Sequence, residues 1–375
     1  MMAERANGNA RSFLWIGLVS LGLLGVLPGA VGAAQEWKLN GEIFGELKRD
    51  RPVGSLDGKD YKKASDISGI ACAQDRGFPR LCLIVDDEAQ GTQIVRLDQD
   101  GGRAGSFIPL VSDVFRRPDG RDKAIDFDGE AVAYTEGAFY VAGSHGRPRH
   151  EARKPGADPA EQDAKAQVSR RLFRLAFLAD AVNADGAITG PAPVITETGR
   201  LNDAIAAHPE ISATSNAPLA EQGLSVEGIA VRGGRLYAGL RTPVSEGTAW
   251  ILSVPLDVLF GDKPLTSELI GLKLGPDTKG TPRGIRDLVP FHDGFLVVAG
   301  PAVDPPDDAV ADGDYTLFYS AGDRLEKLID LPGYGTKVKP EAVLPLTEAD
   351  GIVEALLLFD GPEQGAGRTI RFKAP

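Results

Sequence analysis

Four carboxylates stand immediately before apolar, alternating runs: Glu130 before AVAY, Glu227 before GIAV, Asp287 before LVPF and Glu341 before AVLP. A fifth run, GIAC, follows Ser68, with Asp66 two residues earlier. Acids brought to one place repel each other unless a cation, proton uptake or basic neighbours offset the charge. A hard cation such as calcium takes oxygen ligands, so Glu130, Glu227, Asp287 and Glu341 form the candidate metal set. Arg241, Arg286 and Lys339 are the basic residues of the same neighbourhoods. Such side chains pair with carboxylates and also with phosphate or a substrate carboxylate, so they are candidate ligands for a small anion. A cation held by the acids would polarise a phosphoryl or carbonyl oxygen and activate water. Glu227 and His145, the latter in GSHGRPR, are the candidate catalytic residues, His145 as a proton shuttle. The competing reading is structural. Each acid accepts backbone amides of a neighbouring element, or the acids and arginines satisfy one another, and the protein binds a ligand or partner without chemistry.

Other motifs carry less. DFDGE (126–130) and DDAVADGDY (307–315) resemble calcium loops but lack the full spacing of an EF-hand, and Asp-Gly turns explain them. The four histidines form no HExxH pair, Ser225 in GLSVEG lacks the second glycine of a nucleophile elbow, and GAGRT is too short for a nucleotide loop. His145 as a plain surface-loop histidine is the alternative to its catalytic reading.

Strands must position these residues. After each anchor run comes a second one: LCLIVDD, AFYVAGS, RLYAGLR, GFLVVAG and EALLLFD. A third follows in every unit, and a fourth in the first four units: GSFIPL, PVITET, SELIGLKL and LEKLID. Period-two patterning with Gly, Asp and Asn turns predicts antiparallel strands. The repetition predicts an all-β fold, a β-propeller of five blades of four antiparallel strands. Six blades are the alternative, since 130–227 is long enough to hide one, and a β-sandwich is the rival architecture. The fifth unit lacks a fourth strand, and EWKLNGEIFGELK (36–48) is the spare that closes the ring. In a propeller the first strand of each blade lines the channel, so the anchors ring one mouth. Loops joining second to third strands open on that face and bring Asp86, Asp87, His145, Arg147, Arg241 and Asp360 nearby. The charged stretch 144–171 reads as a long loop over the mouth, and 201–211 as a short helix.

The 375 residues carry a net charge of -12, with a pI near 5.0. That balance excludes the basic face nucleic-acid binding needs. Residues 1–33 read as a signal peptide: Arg5 and Arg11, an apolar run from Phe13, then Val31-Gly32-Ala33 before the cut. An uncleaved anchor is the rival. The expected mature chain, 34–375, is one domain, periplasmic or secreted, monomeric and without stable membrane insertion. Export permits a disulfide between Cys72 and Cys82, which flank a hairpin-like turn; two buried thiols are the alternative.

DISGIA, DGEAVAY, SVEGIAV with LYAGLRTPV, GIRDLVPF and PEAVL together resemble an uncharacterised family of exported bacterial proteins, a domain of unknown function, over roughly residues 60–361. The anchors are also similar to those of the esterase-like phytase domain and of SdiA-regulated propeller proteins. The resemblance implies a propeller and, more distantly, calcium-dependent phosphoester chemistry at the channel mouth. Ser68 departs from the acidic pattern of the other anchors.

Overall fold

The computed structural model describes residues 36–48, 60–99, 101–148, 158–178, 180–305 and 308–375. The signal-peptide reading of 1–33 lies outside the described residues. Among the described residues no helix is long and apolar enough to cross a membrane.

The chain forms the expected five-bladed β-propeller, each blade an antiparallel sheet built outward from the channel. Blade one holds Ile67–Cys72, Arg80–Asp86, Gly91–Asp98 and Gly101–Pro109. Blade two holds Gly129–Thr135, Ala138–Gly143, Leu172–Ala176 and Val194–Thr198. Blade three holds Ser225–Arg232, Arg235–Thr242, Ala249–Pro255 and Glu268–Leu272. Blade four holds Arg283–Phe291, Gly294–Pro301, Thr316–Ala321 and Arg324–Asp330. Blade five holds Lys339–Ala349, Ile352–Asp360 and Arg368–Lys373. The first strands neighbour one another in blade order and back to blade one, which closes the ring.

The N-terminal segment seals the seam in two steps. At the fourth position of blade five, Glu36 bridges Arg368 and the Trp37 N–H donates to the Gly367 carbonyl at 2.8 Å. Lys38–Asn40 then runs parallel to Gly101–Arg103 on the outer strand of blade one. The segment therefore straddles the two blades instead of adding a full strand to one.

Both faces of the middle strands are apolar because every blade packs against two neighbours. Phe139 and Val141 face blade one, while Tyr140 and Ala142 face blade three. This is the two-residue period of a strand put to use on both sides. Five such inter-blade clusters complete the circle. Burying each large side chain in them contributes about 1.5–3 kcal/mol.

Each first strand carries a register shift against its second strand at one equivalent place. The skipped residues are Ser68, Glu130, Glu227, Arg286 and Glu341. A bulge leaves one residue out of the ladder and re-aims its side chain. The residue after the bulge is small in four blades: Gly69, Ala131, Gly228 and Ala342. A Cβ on Gly228 would lie 2.5 Å from the Leu288 nitrogen, and one on Gly69 would lie 2.9 Å from Ala131 Cα. Small residues there let neighbouring first strands touch through their backbones. In blade four that position holds Asp287.

Among the described residues, the excursion between Glu130 and Glu227 holds no sixth blade. It carries the helix Pro159–Ser169 and two shorter ones, Arg200–Ala206 and Pro209–Ser212. The stretch 144–171, expected to be loop throughout, is therefore helical in its second half. Asp158 starts that helix by accepting the Ala160 N–H at 3.0 Å, and Pro159 suits the first turn. Residues 149–157 lie outside the described part. The helix expected over 201–211 is split, because Pro209 opens a new one.

Candidate functional site

The bulges place Ser68, Glu130, Glu227, Arg286 and Glu341 at equivalent positions around the channel. The register corrects the sequence alignment by one residue in blade four: Arg286, not Asp287, joins the ring. Asp287 instead clasps two first strands. Its carboxylate accepts the Leu288 N–H at 2.8 Å and, from blade five, the Val343 N–H at 2.7 Å. Burial pushes its pKa up to about 8, with the two amides working against that rise. Asp287 thus falls out of the metal set.

The basic residues are spent on the acids beside them. Arg286 donates from Nε to Glu341 Oε2 at 2.7 Å and from Nη2 to Glu341 Oε1, and its Nε lies 3.1 Å from Glu227 Oε2. Arg241 donates from Nη1 to Glu227 at 3.1 Å, from Nη2 to Asp304 at 2.7 Å and from Nε to the Ala302 carbonyl at 3.0 Å. Both guanidinium groups are only 1% exposed. Lys339 Nζ sits between Asp304 at 3.2 Å and Asp360 at 3.1 Å. Burial works to lower the Arg286 pKa, but Glu227 and Glu341 outweigh it and hold the group well above its ordinary range. These pairings correct the expectation that Arg241, Arg286 and Lys339 offer themselves to an anion. The single exception is Arg286 Nη1, buried with no hydrogen-bond partner.

His145 is also corrected. It is fully buried, at a positive φ of 59°, with Nδ1 against the Gly143 carbonyl at 2.9 Å. Burial brings its pKa down to about 4, so it is neutral. Ser144 and Gly146 line the mouth, and His145 between them does not. It is neither a surface-loop histidine nor placed to pass protons to a ligand there.

Above the ring lies a pocket of about 510 Å³. Its wall on the side of blades one and two presents Asp87, Asp128 and Glu130, whose ligand oxygens all lie within 4.8 Å of one another. Asp87 comes from the turn after Arg80–Asp86, with its N–H held by the Asp66 carbonyl at 3.0 Å. Asp128 precedes the blade-two bulge at a φ of 57° and accepts the Ser144 hydroxyl. Glu130 is the bulge residue itself. Its carboxylate makes no hydrogen bond or ion pair among the described residues, and Asp87 Oδ1 is buried without a partner. Burial, then Glu227 and Asp128, raise the Glu130 pKa well above the carboxylate range. Burial, then Glu130 and Asp86, do the same to Asp87. A hard cation would answer this charge, and the donor set is all oxygen, as calcium requires.

The four expected metal ligands are therefore not brought together. Glu130 joins the trio, Glu227 and Glu341 are ion-paired, and Asp287 is a clasp. Asp87 stood among the residues expected near the ring, and Asp128 lay in DFDGE, set aside as a turn. Their position on the mouth-facing turns beside Glu130 is the signal that joins them. Cys72 and Cys82 are disulfide-bonded across the first two strands of blade one, four residues along from Ser68.

Comparison with solved structures finds distant likenesses. A GH43 β-1,3-galactosidase shares 11% identity with a TM-score of 0.43, over 88% of this chain and 60% of that one. The calcium-binding protein regucalcin from Agrobacterium tumefaciens shares 10% identity with a TM-score of 0.34, over 90% and 97%. A luciferin-regenerating enzyme shares 11% identity with a TM-score of 0.32, over 83% and 94%. The chain spans less than two thirds of the galactosidase, and none of these likenesses bears on its ligand or chemistry. No curated protein matches the chain. A family model does match, over residues 66–369, which takes in all five bulges, the mouth and the clasp, and the chain belongs to that family, the protein of unknown function DUF3616.

Proposed function

We propose that this propeller binds one hard divalent cation, with calcium the leading candidate, through Asp87, Asp128 and Glu130 at the channel mouth. One observation carries the reading. Glu227 and Glu341 are answered by buried guanidinium groups, whereas Glu130, at the same bulge position of blade two, has no partner among the described residues. The pocket leaves room beside the trio for a small anionic ligand rich in oxygen, and phosphoesters and lactones are the class to try. When bound, the cation would supply Lewis-acid polarisation of a phosphoryl or carbonyl oxygen. The chain's own residues would hold the ion and exclude water through the packed ring below.

A binding module without turnover is the second reading. It is favoured by the seclusion of His145, which leaves the mouth without an evident proton carrier. A thermal melt of chelator-stripped protein, titrated with calcium and then magnesium, tests the cation. A saturable rise in Tm with calcium is expected, because a ligand that binds only the folded state stabilises it. A flat response sinks the reading. Turnover of a panel of phosphate esters and lactones, with and without calcium, then separates the enzyme from the binding module.

A further inference from the structure

Three glutamates around one channel would offer cations more than one resting place, yet the ring is uneven. Its five positions read Ser68, Glu130, Glu227, Arg286 and Glu341. Arg286 stands in blade four, between the glutamates of blades three and five, and contacts both. It takes both carboxylate oxygens of Glu341 through Nε and Nη2, and Nε also meets Glu227. A divalent ion placed between Glu227 and Glu341 would find the guanidinium already there. Glu130, across the ring, feels Arg286 only as a distant charge.

We infer that Arg286 is the specificity-determining residue of the mouth: a built-in cation that occupies the Glu227–Glu341 side and confines metal binding to a single ion at Asp87, Asp128 and Glu130. The inference rests on the cation reading above. It also explains why one blade carries arginine at a position where three carry glutamate. The two glutamates in turn hold the guanidinium away from Glu130. Arg286 is a positioning residue here, since it does not touch the ion.

Calorimetric titration of calcium into the chelator-stripped full chain tests this with two variants. The wild type is expected to bind one calcium. Arg286→Gln, which frees Glu341 and leaves Glu227 only Arg241 as a basic partner among the described residues, is expected to bind two. Glu341→Gln leaves the trio untouched but releases the guanidinium from its two-point partner, so it competes for Glu130. That variant is expected to bind one calcium with Kd at least tenfold weaker. One calcium in Arg286→Gln, together with an unchanged Kd in Glu341→Gln, overturns the inference and leaves the site reading standing. A wild type that binds no calcium overturns the site reading itself. Should Arg286→Gln not fold, the Kd of Glu341→Gln decides alone, and an unchanged value overturns the inference.

Discussion

Glu130 and Glu227 hold the same bulge position in adjacent blades, and the same substitution should move them in opposite directions. Glu227 accepts from Arg241 Nη1, lies 3.1 Å from Arg286 Nε, and accepts the Ser225 hydroxyl at 3.1 Å. Removing one partner of a buried ion pair costs about 3–5 kcal/mol. Arg241 would keep Asp304 and the Ala302 carbonyl, and Arg286 would keep Glu341. Glu227→Gln should therefore fall at the low end, near 3 kcal/mol. For a fold of this size the unfolding entropy is roughly 0.7 kcal/mol per degree, so Tm should drop by about 4 °C. Glu130→Gln replaces an acid that has no partner among the described residues and whose pKa burial and the neighbouring acids already raise. It should leave Tm unchanged or raise it, by about 1 kcal/mol or less. The assay is differential scanning calorimetry at neutral pH with chelator present. Equal losses in both variants would refute the division of the ring into paired and unpaired acids, and so would an unchanged Glu227→Gln.

Three further outcomes follow from the clasp, the close approach and the bridge. Asp287 keeps its proton to about pH 8 in the folded state, against about 4 when unfolded, so its contribution is full in acid and fades as pH rises between those values. Asp287→Asn should flatten the decline of Tm between pH 5 and 8; parallel profiles would show that Asp287 does not titrate there. Gly228→Ala drives a Cβ into the Leu288 backbone and should cost about 2–3 kcal/mol in urea denaturation, against about 1 kcal/mol for Ala131→Gly. Equal, small losses would mean the first strands are not pressed together. Replacing Cys72 and Cys82 with alanine should cost roughly 2–3 kcal/mol, as expected for a loop closed over 10 residues. It should leave calcium binding untouched, and a loss of binding would mean that blade one transmits strain to the mouth.

The blades were legible because their signal is redundant. Each repeats an alternating apolar run, a turn and a second run, and burial on both sides keeps both sets of alternate residues apolar. The ring was half legible. Aligning the repeats on their acids put Asp287 in the ring, because aspartate fills the place of a glycine or alanine in blade four. Aligning them on the apolar residue two places after the bulge, Ile70, Val132, Ile229, Leu288 and Val343, gives the register the structure has. The acid trio was the least legible part. Asp87 and Glu130 lie in different blades, and no local spacing announces that a turn of one reaches the bulge of the next. The pairing of the arginines was hidden for a similar reason. Arg241 meets Asp304, 63 positions away, through the packing of blades three and four.

The most direct test of the cation site is equilibrium dialysis of the chelator-stripped protein against radioactive calcium, alongside Glu130→Gln and Asp87→Asn. The expected result is one saturable calcium per chain in the wild type, lost or greatly weakened in both variants while both remain folded. Absence of saturable binding in the wild type, or full binding retained in both variants, would contradict it.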